Sequence, residues 1–139
     1  KELNGTFIDA DNFHTIGSIS KMKNGFPLNE KDRKDWIKRL FSYLSAIQNK
    51  TTIVCACSAL KADFQKKFKS LGFYIVFLKG DFFTLEKRIK NRQGHFFSEK
   101  LLQDEFENFD NPDADLTLDI KLSLKMLTQT TLKHIKREF

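Results

Sequence analysis

The sequence predicts an α/β protein, a parallel sheet flanked by helices, and two features of the chain predict it. Short segments rich in apolar and β-forming residues, TFID (6–9), TTIVCAC (51–57), FYIVFL (73–78) and LTLDI (116–120), alternate with longer stretches of helical periodicity. The middle two are near-continuous apolar runs, as expected of strands buried on both faces, and the helical stretches supply the crossovers that parallel strands need. A chain of 139 residues, 40% hydrophobic and with 15 Phe, is sized for one domain with a sizeable core.

The elements follow in order from local chemistry. A long helix is expected after Pro27 and Leu28, with Asn29 as cap, Asp32 in the first turn, and Trp36, Leu40, Phe41, Leu44 and Ile47 inward. Ser58 is placed to cap a second helix, in which Leu60, Phe64, Phe68 and Leu71 recur at helical spacing until Gly72 ends the run. Asp81 caps a shorter helix with Leu85 and Ile89 inward. Arg88 and Arg92, four apart, then share its other side, and Gly94 breaks it. Ser98 and Glu99 open a helix that runs to Phe109 and stops at the Asn111-Pro112 turn. Ser123 opens the last, with Leu124, Leu127, Thr131 and Ile135 as its stripe.

Composition narrows the function classes. A net charge of +6 favours anionic partners. The lysines are spread along every predicted helix, which reads as a solvated basic surface and not as a nucleic-acid patch. No apolar run approaches the roughly 20 residues needed to cross a bilayer, and KELNGTFID lacks a secretory apolar segment, so a soluble cytoplasmic protein without membrane partners is expected. Cys55 and Cys57 point to one face of a strand, and the three histidines, at 14, 95 and 134, are scattered, so the pair reads as core and not as a metal site.

Three clusters carry chemistry. FIDADNFH puts Asp9, Asp11 and His14 at the carboxyl end of a parallel strand, where open α/β sheets bind ligands. Two such carboxylates can divide labour, one holding water around Mg²⁺ and the other accepting a proton; alone, the pair reads first as a solvated turn with a helix cap. CSALK offers Ser58 at a helix N-terminus with the charge of Lys61, an anion site of a very common kind. RIKNRQGHFF joins Arg88 and Arg92 to a glycine hinge, His95 and two aromatics, which suits either a mobile lid over phosphate or an ordinary basic helix.

Taken in order, FIDADNFH, ISKMKNGFPLNEKDRKDW, CSALK and LKGDFFTLEKRIKNRQGHFF, followed by the helix reaching Asn111-Pro112, resemble the gluconokinase family over nearly the whole chain. The K-M-x-x-G-x-P-L-N-x-x-D-R-x-x-W run and the R-x-x-x-R-x-G-H-F-F segment are its distinctive parts. The resemblance implies a P-loop NTP hydrolase fold of the nucleoside-monophosphate-kinase-like type, with a lid around residues 88–100. It implies ATP-dependent phosphorylation of D-gluconate to 6-phosphogluconate with Mg²⁺, in a cytoplasmic homodimer. It also implies roles: Asp9 in the Mg²⁺ shell through water, Asp11 on the acceptor hydroxyl, and Arg33 on the sugar acid's carboxylate. His14, Ser58, Lys61 and His95 would line the acceptor pocket, and Arg88 and Arg92 would approach ATP, with Arg92 also counted as catalytic.

Several positions depart from the family pattern. Thr15 stands for a proline and Ser18 for an asparagine, Ala62-Asp63-Phe64-Gln65 lacks the tyrosine-arginine pair usual after CSALK, and Asp104-Glu105 replaces an uncharged pair. An extra carboxylate there would disfavour an anionic acceptor. The alternative enzyme is another small-metabolite kinase, such as a shikimate-kinase-like enzyme, although shikimate and nucleotide kinases do not share the K-M-x-x-G-x-P-L-N-x-x-D-R-x-x-W segment. A glycine-rich G-x-x-x-x-G-K-[ST] loop does not occur in the 139 residues. They are therefore expected to be an N-terminally truncated single kinase domain, lacking the first strand and phosphate loop and unable to use ATP as they stand. The remaining alternative is a natural, inactive short form acting as a basic binding module.

Overall fold

The computed structural model describes residues 2–139. They form two compact units: one runs to Ser58 and includes Ile89–Asn108, the other holds Ala59–Arg88 and Phe109–Phe139. Each is built on a two-stranded parallel sheet.

In the first unit β1 (Thr6–Asp9) pairs with β2 (Ile53–Ala56) in the register Ile8 opposite Cys55 and Asp9 opposite Ala56. A 3-10 turn (Ala10–Phe13) leaves β1, followed by α1 (Ile16–Lys23) and α2 (Glu30–Ile47). Helix α1 lies in a stretch with no clear helical stripe: Ile16 is exposed, and only Ser18 and Met22 are buried. Its ends carry the signal instead. Thr15 Oγ1 accepts the Ser18 N–H at 3.1 Å. At the other end Gly25, with φ +77°, lets Phe26 N–H reach Lys21 O at 2.9 Å and its own N–H reach Met22 O at 3.0 Å, a paired closure that a side chain at Gly25 would strain.

Helix α2 begins as its sequence predicts. Asn29 Oδ1 accepts the Asp32 N–H at 2.7 Å, and Asp32 Oδ2 accepts the Asn29 N–H at 3.3 Å, a reciprocal capping box. Asp32 also takes Lys21 Nζ at 2.6 Å, which ties α1 to α2. The inner face is Trp36, Ile37, Leu40 and Leu44, so Ile37 joins the predicted stripe, while Phe41 and Ile47 are half-buried. A 3-10 turn (Glu99–Leu101), capped by Ser98, runs into α5 (Leu102–Asn108), with Leu101 and Leu102 buried.

The second unit pairs β3 (Val76–Lys79) with β4 (Leu116–Asp119), Leu78 opposite Leu118. Its helices are α3 (Ala62–Ser70) and α6 (Leu124–Glu138), and α4 (Phe82–Asn91) begins in it. Asp81 caps α4, accepting Thr84 N–H at 2.8 Å, and Lys121 holds its carboxyl well below the usual range. Gly72 closes α3 at φ +78°, with Phe73 N–H on Phe68 O and the two rings edge to face at 5.4 Å. The fold corrects three expectations. Ser58 does not cap α3; its N-terminus at Ala62 is met by Asp110 Oδ2 at 2.8 Å, a carboxylate suited to the positive helix end. Leu124 is 80% exposed at the first turn of α6, leaving Leu127, Thr131 and Ile135 as its half-buried stripe. The middle strands are not buried on both faces: Val54 is 41% and Leu78 52% exposed.

Leu40 is fully buried on the inner face of α2. Leu40→Ala in the full-length protein is expected to destabilise it by about 2–5 kcal/mol, read as a lower midpoint in a denaturant titration.

Candidate functional site

The site is built on the turn that leaves β1. A parallel strand ends with its last carbonyls and N–H groups unladdered, and here the side chains supply the partners. Asp9 Oδ1 accepts the Asp11 N–H at 3.0 Å, so Asp9 is the cap of the 3-10 turn. Trp36 donates its indole N–H to Ala10 O at 2.8 Å in a buried contact, and Arg39 Nε donates to Phe13 O at 2.8 Å. Two residues of α2 thus hold the backbone on both sides of Asp11. The sequence pattern did not single out Arg39, and its helical spacing from Trp36 is the signal that could have found it.

Asp11 stands between two imidazoles. His95 Nε2 lies 3.1 Å from its Oδ2, and His14 Nε2 lies 3.8 Å from its Oδ1. Phe97 donates its backbone N–H to His95 Nδ1 at 3.1 Å, which makes Nδ1 an acceptor; in the neutral ring Nε2 therefore carries the proton and donates to Asp11. His14 is 5% exposed, stacked on Trp36 at 4.5 Å and met edge-on by Phe96 at 5.8 Å. Burial lowers its pKa below 6.5, against the opposing pull of Asp11, with Arg39 adding to the lowering. Its Nδ1 is buried without a protein partner, a polar atom suited to a small hydroxyl or water.

The other predicted residues are spread over both units. Arg33, in the first turns of α2, places Nη2 3.6 Å from Glu105 Oε1 of α5. Ser58 lies beyond the end of β2 in the first unit. Lys61 is the residue before α3 and Arg88 donates Nη2 to Ile120 O at 2.6 Å, both in the second unit. The shared helical face expected of Arg88 and Arg92 is not formed: α4 ends at Asn91, and Arg92 sits in a turn with its N–H on Ile89 O, ahead of Gly94 at φ +71°. Cys55 has its thiol pushed up to about 11 by burial and by Asp9, which keeps it protonated and unreactive. Among the described residues no cluster of three or more His, Cys, Asp and Glu is arranged to hold a metal, and no helix is long and apolar enough to cross a membrane.

The lowered pKa of His14 has a stability consequence. Between its folded value and 6.5 the unfolded chain binds the proton and the folded one does not, so the contribution of the neutral ring is present above about pH 6.5 and is lost as the pH falls from there through the folded value. His14→Phe, which keeps a ring on Trp36, is expected to flatten the stability-versus-pH slope over that window, measured by denaturant midpoints from pH 7.5 down to 5.

No family model matches the chain. The thermoresistant gluconokinase of Escherichia coli is 37% identical over 146 residues, covering 98% of this chain and 82% of that protein. The thermosensitive gluconokinase of the same organism is 36% identical over 117 residues, covering 81% of this chain and 62% of its own length. Among solved structures, a gluconokinase from Sinorhizobium meliloti superposes with a TM-score of 0.80 at 29% identity over 96% of this chain and 78% of its own. An unliganded sugar kinase from a Janibacter species gives 0.82 at 27% identity, covering 97% of this chain and 82% of that one. With the sequence similarity spanning the strand-end aspartates, the capped α2 and the His95 segment alike, this chain belongs to the gluconokinase family.

Proposed function

We propose that the protein transfers the γ-phosphoryl group of ATP to the 6-hydroxyl of D-gluconate, and that Asp11 acts on that hydroxyl. The observation that carries this reading is the geometry around Asp11: a carboxylate at a strand end, anchored through its backbone by α2 and oriented by the Nε2–H of His95. A base positioned in this way receives the hydroxyl proton as the new O–P bond forms. His14 offers its buried ring nitrogen to a further acceptor hydroxyl, Arg33 its guanidinium to the sugar acid's carboxylate, and Ser58 and Lys61 complete the acceptor set by family resemblance.

The donor set around β1 fits Mg²⁺ held mainly by water and phosphate oxygens, since Asp9 Oδ1 already accepts a backbone N–H and one further oxygen remains to hold a coordinated water. When bound, Mg²⁺ neutralises charge on the transferring phosphoryl group. The 139 residues contain no glycine-rich phosphate loop, so the cradle for the β- and γ-phosphates is not among them. Arg88 and Arg92 contribute charge toward the nucleotide, with residues 88–100 acting as the lid. A cytoplasmic homodimer without nucleic-acid partners completes the reading, on family resemblance.

The activity is tested with the full-length protein, gluconate and MgATP, coupled to 6-phosphogluconate dehydrogenase. NADPH formation that depends on gluconate is the expected result; a clear preference for shikimate or a nucleoside monophosphate would overturn the acceptor. In the same assay Asp11→Asn is expected to lower kcat by about 10²- to 10⁴-fold while the KM for ATP changes little. Near-normal turnover would show that Asp11 is only a turn residue.

A further inference from the structure

If Arg33 is the receptor for an anionic acceptor, its neighbour Glu105 acquires a role in acceptor binding, one that rests on that reading. Arg33 and Glu105 come from different helices, α2 and α5, of the same unit, and are 25% and 30% exposed. The charges around Arg33 on α2 are already matched: Glu30 with Lys34, Lys31 with Asp35, and Asp32 with Lys21. Arg33 instead reaches across to α5. At 3.6 Å through one oxygen, the contact is an ion pair beyond hydrogen-bond length.

A guanidinium offers five N–H donors in a planar fork, and one loose contact leaves most of that fork for a ligand. Glu105 therefore does not cover Arg33. It cancels much of the charge that Arg33 presents, and it sets a second carboxylate where an incoming carboxylate would bind. Two carboxylates about one guanidinium repel each other, so the acceptor binds against Glu105 as well as toward Arg33.

We propose that Glu105 tunes acceptor affinity: through its ion pair with Arg33 it holds the affinity for the sugar acid's carboxylate below what Arg33 alone would confer. Because the pair is nearly neutral, it also makes acceptor binding insensitive to salt.

The test uses the full-length protein. Glu105→Gln is expected to lower the KM for gluconate by about two- to fivefold at low ionic strength. The KM for ATP stays where it was, and the gluconate KM of the variant rises more steeply with added salt, because an unneutralised Arg33 is screened. Glu105→Asp, which keeps the charge, retains the original KM and salt dependence. Glu105→Ala, checked by a cooperative melt, repeats the measurement should the glutamine variant fail to fold. A gluconate KM that is unchanged or raised in the uncharged variants, with the salt dependence unaltered, overturns the proposal; a raised KM would mean that Glu105 merely holds Arg33 in place. Failure of the unmodified protein to phosphorylate gluconate overturns the activity itself, and the role of Glu105 with it, whatever the variants do.

Discussion

The hydrogen bond from the Trp36 indole to Ala10 O is the contact on which the rest of the site depends. Ala10 is fully buried and sits between Asp9 and Asp11, so its carbonyl has left both the β ladder and solvent. An unsatisfied buried carbonyl costs about 1–3 kcal/mol, enough to favour another path for the chain. Trp36 removes that cost, and the same ring is the floor on which His14 stacks. One side chain thus sets the backbone of the aspartates and the plane of the imidazole beside them. The indole is in turn held because α2 is anchored by Ile37, Leu40 and Leu44, the largest fully buried side chains among the described residues.

The K-M-x-x-G-x-P-L-N-x-x-D-R-x-x-W run is accordingly in large part a folding device. Lys21 and Asp32 join two helices, Met22 is core, Gly25 closes α1, Asn29 and Asp32 cap α2, and Trp36 seats the strand-end turn. Arg33 is the member that reaches across to α5, pairing with Glu105.

The departures from the family pattern have physical accounts. Thr15 and Ser18 act as a pair: Thr15 caps α1 and also donates its hydroxyl to Ser18 Oγ at 3.0 Å, which satisfies a buried serine. Gln65 is buried and serves backbone, donating to Ala59 O at 3.0 Å and accepting from Asp113 N–H at 3.4 Å, so its amide is committed to joining two loops of its unit. Asp104 accepts from the Asn108 side chain one turn on, within α5. Glu105 reaches another helix, and that cross-helix reach is what separates a surface charge from one that acts on Arg33.

The sequence by itself determined the elements whose causes are local. The Asn29 and Ser123 caps, the Asp81 cap and the Gly72 stop are all decided by side chains within a few residues of the backbone they satisfy, and each formed where the chain predicts it. The strands form on their predicted segments, some with shifted ends, β3 starting at Val76 and not at Phe73. The family was legible too, because its motifs are runs of consecutive residues. What only the tertiary structure decided involves partners distant in the chain. Asp110, and not Ser58, meets the start of α3 from 48 residues away. His95 reaches Asp11 across 84 residues, with a tautomer chosen by the Phe97 N–H. Glu105 meets Arg33 from a separate helix. Periodicity and capping rules act over one or two turns, whereas a carboxylate accepts any donor the fold delivers, and only the folded chain decides which donor that is.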